Sequence, residues 1–261
     1  MRLVSNARMY AVTPAVERRW AELLTGIGVA AGIELAYEAF PAPAPLDRLW
    51  ARDDLGLAFM CGWPFAALHP GAQPVVAPRP SAEWAGGHSC YRTDLVVASA
   101  SSFHVLSDTF HGRIGWTVEH SQSGCRALGA YLNEARGGGA GWQGFRERVG
   151  PLVTPRRVVD ALLAGEIDVG PLDAYWHELL KLHEPGTASR LRTIDTTRLT
   201  PMPLLVASEG ISEKIVGRLQ GAATLSATDP VLRPILDELG LIGFVAVTRA
   251  DYDVLRSESD S

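Results

Sequence analysis

Apolar positions along this chain switch repeatedly between a helical and a strand period. Val16, Trp20, Leu23, Leu24 and Ile27 recur at helical spacing, with Arg18, Arg19 and Glu22 on the opposite face, the pattern of an amphipathic helix. Thr13-Pro14 opens that helix with a capping side chain and a proline at the first helical position. Residues 8–12 read as a strand end and 33–40 alternate as a strand. Residues 55–61 form a continuous apolar run, which suits a strand buried on both faces. The spacing predicts a short helix at 45–50, a helical turn at 64–68, a strand at 74–77 and a loop at 78–87. Beyond it, strands are predicted at 94–100, 113–118, 167–172, 191–194, 204–207 and 242–247. Helices are predicted at 123–136, 155–164, 174–182, 212–219 and 230–239, with a glycine-rich loop at 137–144. Repeated strand–helix alternation predicts an α/β fold with helices on both sheet faces. The Pro/Gly-rich breaks near 78–90 and 196–203 suit chain crossings between two lobes. Lobe 1 would then combine residues 1–90 and 200–261, and lobe 2 would be the inserted 91–199.

The 261 residues are 47% hydrophobic and 20% charged, which excludes a disordered chain and is ample for a buried core. A net charge of −5 gives no electrostatic footprint for nucleic acid. The three cysteines, Cys61, Cys90 and Cys125, contain no C-x-x-C, so neither a disulfide framework nor a structural zinc site is expected. None of the seven histidines forms an i, i+4 pair, so no metal and no cofactor is expected. The longest stretch without Asp, Glu, Lys or Arg, 55–78, is broken by Pro64, Pro70, Pro74 and Pro78; direct membrane insertion is not expected. Residues 1–12 carry Arg2 and Arg8 and no apolar signal-peptide core. As written, the chain is expected in the cytoplasm, or in the periplasm if a leader precedes it. Residues 139–144 match G-x-G-x-x-G letter for letter but follow a helix rather than a strand, so no dinucleotide site is expected. Gly26-Ile27-Gly28 fails the same test.

Three segments carry a chemical signal. Ser121-Gln122-Ser123-Gly124 sits where a predicted strand gives way to a helix. Hydroxyls, a glycine and free backbone N–H groups at a helix start suit an anion, with a plain serine cap as the structural alternative. Asp173 and Tyr175 follow a strand that reads as buried, at the end where ligands of open α/β sheets bind. Asp173 would suit a donor group on a ligand, or simply cap the next helix. Trp63 after Cys61-Gly62 and Tyr10 after Met9 end strands in the same way, either walling a pocket or packing the core.

Taken in order, these segments resemble the phosphate/phosphonate-type substrate-binding proteins of ABC importers. The resemblance rests on Tyr10, on Cys61-Gly62-Trp63-Pro64, on Tyr91-Arg92-Thr93-Asp94 opening a strand, on Ser121-Gln122-Ser123-Gly124 and on residues 164–175. It implies a two-lobed type II periplasmic-binding-protein-like fold, each lobe a mostly parallel sheet flanked by helices with a cleft between. Hinges are implied near 89–93 and 196–203. It also implies a small polar, anionic ligand, phosphonate- or phosphate-like or a carboxylate, held by Tyr10, Trp63, Tyr91, Ser121, Gln122, Ser123, Gly124, Asp173 and Tyr175. An ABC permease would be the protein partner. Gln122 departs from the hydroxyl-bearing Thr of the family's Ser-Thr-Ser-Gly loop. The alternative is a cytoplasmic enzyme on the same fold, similar to menaquinone-pathway dehydratases or thiamine-pyrimidine synthases, with His120 as its acid/base candidate. A ligand sensor signalling to a separate partner chain is the third reading.

Overall fold

The protein is described by a computed structural model covering residues 2–135 and 141–256. In chain order the described strands are β1 (Arg2–Asn6), β2 (Glu34–Tyr37), β3 (Leu55–Met60), β4 (Gln73–Pro80), β5 (Cys90–Tyr91), β6 (Thr93–Ala98) and β7 (Arg113–Gly115). They continue with β8 (Glu147–Val149), β9 (Gly170–Asp173), β10 (Leu191–Thr196), β11 (Thr200–Pro201), β12 (Leu204–Ala207) and β13 (Leu241–Ala246). The α-helices are α1 (Pro14–Ala31), α2 (Leu46–Trp50), α3 (Gly62–Ala67), α4 (Ala127–Ala135) and α5 (Pro155–Leu163). They are followed by α6 (Ala174–His183), α7 (Pro185–Ala188), α8 (Glu213–Leu225) and α9 (Arg233–Glu238). Contacts divide the chain into one unit of Met1–Cys90 with Pro201–Asp253, and another of Tyr91–Thr200 with Val254–Ser261.

The first unit is built on a six-stranded sheet in the order β13-β4-β12-β3-β1-β2. β2, β1 and β3 run parallel, whereas β12 is antiparallel to both β3 and β4, and β13 is antiparallel to β4. The sheet is therefore mixed rather than mostly parallel. The chain leaves this unit after β4 and returns before β12, and a strand that enters where its neighbour left must run the other way. Helix α1 covers the sheet because its apolar stripe, Val16, Trp20, Leu23, Leu24 and Ile27, is wholly buried. Its start follows the predicted chemistry: Val16 N–H donates to Thr13 Oγ1 at 3.1 Å. It ends at Gly32 with φ 63, a left-handed turn that favours glycine. The Trp20 ring meets the Phe59 ring edge-on, with centroids 5.0 Å apart.

The second unit holds a three-stranded antiparallel sheet, β10-β6-β9, and a parallel pair, β7-β8. A parallel bridge between Ile114 and Val169 connects the β7 pair to the segment leading into β9. Leu95, Val97, Ile114, Leu128, Leu132 and Val169 make its core.

Several local expectations are corrected. The first strand lies at Arg2–Asn6, and Arg8–Tyr10 is a 3-10 turn. Buried Ser5 and Asn6 hid the strand in the apolar pattern, and Asn6 Oδ1 ends it by accepting from Arg8 N–H at 2.9 Å. β4 runs on to Pro80 through residues expected to be loop. Pro74 and Pro80 sit beside register shifts that accommodate their missing N–H groups, and Pro78 lies past the residues that pair with β12. The strand at 113–118 stops at Gly115, and the strand at 167–172 starts only at Gly170, after the single bridge at Val169. Helix α8 extends to Leu225 and the pair partner β8 carried no pattern signal. Residues 139 and 140 of the G-x-G-x-x-G match, and residue 136 of the predicted helix, lie outside the described residues. Gly141–Gly144 form a 3-10 turn.

Gly28 shows what the failed nucleotide motif is for. A Cβ there would lie 2.6 Å from Leu35 Cβ and 3.0 Å from the Ile33 carbonyl oxygen. Gly28→Ala gains about 1 kcal/mol of helix propensity. Overpacking α1 against β2 costs roughly 1–3 kcal/mol. The variant is expected to be net destabilised by about 1 kcal/mol in urea unfolding, and a stabilised variant would contradict the tight approach.

Candidate functional site

The loop at 121–124 lies in the second unit and opens α4 through an uncommon geometry. Gln122–Arg126 form a π turn in which Arg126 N–H reaches back to Ser121 O at 3.0 Å. A π turn leaves one more N–H without an intrahelical acceptor than an α turn does, and such turns concentrate at functional sites. Ser121 Oγ accepts from Gly124 N–H at 3.0 Å, so Ser121 is the cap. Gln122 is fully buried and Ser123 nearly so. Any side chain at Gly124 would displace Thr117, because a Cβ would fall 1.9 Å from Thr117 Oγ1. The arrangement combines helix-end N–H donors, hydroxyls and a bare Cα, which is chemistry for a small anion.

The start of α6 is tied to this loop by Thr93. Thr93 Oγ–H donates to Ser123 O at 3.0 Å, and Thr93 pairs with Asp173 across β6 and β9. Ala174 N–H donates to Arg92 O at 3.0 Å. Tyr91, Ser121–Gly124, Asp173 and Tyr175 are thereby gathered within the second unit. Asp173 caps α6, its Oδ1 accepting from Tyr175 N–H at 2.9 Å and Trp176 N–H at 3.0 Å. Burial, then the Asp173 charge, push the Tyr175 hydroxyl well above its ordinary value, so it stays neutral. Thr93 was not singled out from sequence. The signal would have been its position two residues after Tyr91, but its partner lies 30 residues away.

Tyr10 and Trp63 lie in the first unit, just beyond the carboxyl ends of the neighbouring strands β1 and β3. Tyr10 is 1% exposed and its ring meets Phe59 edge-on at 4.9 Å; Trp63 is 6% exposed in α3.

Other candidate groups have structural positions. In the segment before β9, Asp168 accepts from Arg113 N–H at 2.7 Å and pairs with its guanidinium at 2.9 Å. Burial pushes the Asp168 carboxyl up, but the bonds from Arg113 outweigh it and hold it below the ordinary value. His177 Nδ1 lies 2.8 Å from Asp94 Oδ2, both nearly fully buried, clamping α6 to β6. His120 is exposed on the turn before the loop. None of the three cysteines is in a disulfide, and burial raises the Cys90 and Cys125 thiols. Among the described residues no group of three or more His, Cys, Asp or Glu could hold a metal ion, and no helix is long and apolar enough to cross a membrane.

Residues 11–252 match the family described as ABC transporter, phosphonate, periplasmic substrate-binding protein. The chain belongs to this family. Comparison with curated proteins finds no match. Among solved structures, a binding-protein component of an ABC phosphonate transporter from Pseudomonas aeruginosa aligns with a TM-score of 0.82 at 17% identity, covering 99% of this chain and 86% of that one. A Prochlorococcus marinus protein in complex with methylphosphonate gives 0.77 at 16% identity, covering 99% and 97%. The alkanesulfonate-binding protein from Xanthomonas axonopodis pv. citri, bound to MOPS, gives 0.57 at 16% identity, covering 98% and 83%. At these identities the likeness shows the fold, which is that of the type II periplasmic binding proteins. Membership in a binding-protein family does not favour the enzyme reading.

Two acids of this phosphonate-family chain can be separated by experiment. Asp173→Ala is expected to lose roughly 1 kcal/mol of stability with its cap, whereas Asp173→Asn, an equally good cap, stays within a few tenths; denaturant unfolding of both variants checks this. For Asp168, whose folded pKa is lowered, stabilisation is present above the unfolded value of about 3.9 and lost as pH falls through the folded value. Asp168→Asn should therefore melt below wild type at pH 7, with the gap closing below about pH 4. A gap independent of pH would refute the ion-pair account.

Proposed function

We propose that this chain is the solute-binding component of an ABC-type uptake system and binds a small oxyanion, phosphonate- or phosphate-like or a carboxylate. The observation that carries this reading is the Ser121–Gly124 loop on its π turn, with its carbonyl at Ser123 held by Thr93. Helix-end donors and hydroxyls give charge-assisted bonds to anionic oxygens. In this proposal Ser121, Gln122, Ser123 and Gly124 bind the anion, and Asp173 orients a donor group on the ligand. Tyr91 and Tyr175 pack beside them, and Tyr10 and Trp63 are the ligand-facing aromatics of the first unit. The family description supports a periplasmic setting and a permease partner, and the methylphosphonate and MOPS bound by proteins of the same fold support an oxyanion ligand.

The test is a thermal-shift panel of phosphate, methylphosphonate, sulfate, methanesulfonate and malate, followed by recovery of the ligand unchanged. A ligand at 100 times its Kd stabilises the folded state by about 2.7 kcal/mol, a rise of several degrees. Ser123→Ala is expected to weaken binding of the responding anion by roughly 1–3 kcal/mol. No shift with any anion removes the oxyanion reading, and consumption of the ligand replaces binding with catalysis.

A further inference from the structure

The floor of the 121–124 loop contains a hydroxyl with no partner among the described residues. Thr117 is 4% exposed, and its Oγ1 is buried with no hydrogen-bond partner among the described residues. Its backbone is engaged on both sides: Thr117 N–H donates to Gly124 O at 3.2 Å, and Val153 N–H donates to Thr117 O at 3.3 Å. The residue is thus held in place while its side chain is left over. Its location is marked by Gly124, where a Cβ would lie 1.9 Å from Thr117 Oγ1 and 2.9 Å from Ser121 Oγ. Two hydroxyl oxygens therefore pack against the same bare Cα. The middle residue of the loop, Gln122, is fully buried as well.

We propose that the Thr117 hydroxyl is a ligand-binding group of this loop, donating to an oxygen of the bound oxyanion. The inference rests on the oxyanion reading above and adds a residue that sets which oxyanion is held. It has a particular energetic signature. A buried hydroxyl without a partner destabilises the unliganded protein, and the ligand relieves that cost. Replacing it by the similarly shaped valine should affect the free and bound states in opposite directions. A purely structural threonine would behave otherwise, because its loss would weaken the free protein.

The experiment compares wild type, Thr117→Val and Thr117→Ser. Each is titrated calorimetrically with methylphosphonate and with inorganic phosphate, and each is melted without ligand. Wild type is expected to bind at least one probe. Thr117→Val should bind it roughly tenfold or more weakly, the loss of one hydrogen bond to a charged group, while its unliganded melting temperature is unchanged or higher. Thr117→Ser, which keeps the hydroxyl, should restore most of the affinity. Wild-type affinity in Thr117→Val overturns the proposal. So does an unliganded Thr117→Val that melts clearly below wild type, since the hydroxyl then has a partner in the free protein. If wild type binds neither probe, the phosphonate and phosphate form of the oxyanion reading fails and takes this inference with it. The wild-type titration therefore distinguishes the two failures.

Discussion

Thr93 is the joint on which the second unit depends. Its hydroxyl holds the Ser123 carbonyl at 3.0 Å, its N–H is held by Thr197 Oγ1 at 2.9 Å, and its carbonyl accepts from Thr197 N–H at 3.0 Å. It also pairs with Asp173 across the sheet. One buried residue, through its hydroxyl and its backbone, thereby sets the loop that opens α4, the strand end that opens α6 and the returning segment at 197 in fixed relation. A hydroxyl suits this post, because burying it is favourable only when its bonds are made. The loop can then afford an irregular π turn, since its carbonyls are held from outside the helix.

Carboxylates near the loop divide along similar lines. Asp168 and Asp94 each face a cationic or titratable partner and hold one element to another. Asp173 satisfies two orphan N–H groups of α6 with one oxygen. In each case local electrostatics account for the residue before any ligand is considered. A ligand role for Asp173 must therefore be read as an addition to its cap. The Thr117 hydroxyl is the opposite case, a buried polar group with no partner among the described residues.

The sheet of the first unit follows from the path of the chain. β4 departs and β12 returns, so the returning strand slots antiparallel between β3 and β4. Pro74 and Pro80 are tolerated because register shifts lie beside them, and Pro78 because it lies beyond the stretch of β4 that pairs with β12. Close packing of α1 on β2 requires a residue without a side chain at Gly28.

The α/β class and most helices were legible in the sequence because their determinants are local. Thr13-Pro14 and Thr154-Pro155 start helices by capping and fixed φ, and the stripe from Val16 to Ile27 needs only helical spacing. The order of short segments from Tyr10 to Tyr175 was enough for the family, since each lies at or near one end of a strand or the start of a helix. Strand direction was not legible, because pairing joins residues such as Leu204 and Met60 that are far apart in the chain. Nor were the first strand, hidden by buried Ser5 and Asn6, and the extension of β4 through its prolines. The anion-type loop could be read as a helix start, but its π turn, the Thr93 clamp and the unpaired Thr117 hydroxyl are products of long-range contact. Local pattern records what a segment prefers by itself, and only packing decides which of its polar groups are satisfied and which are left for something else to bind.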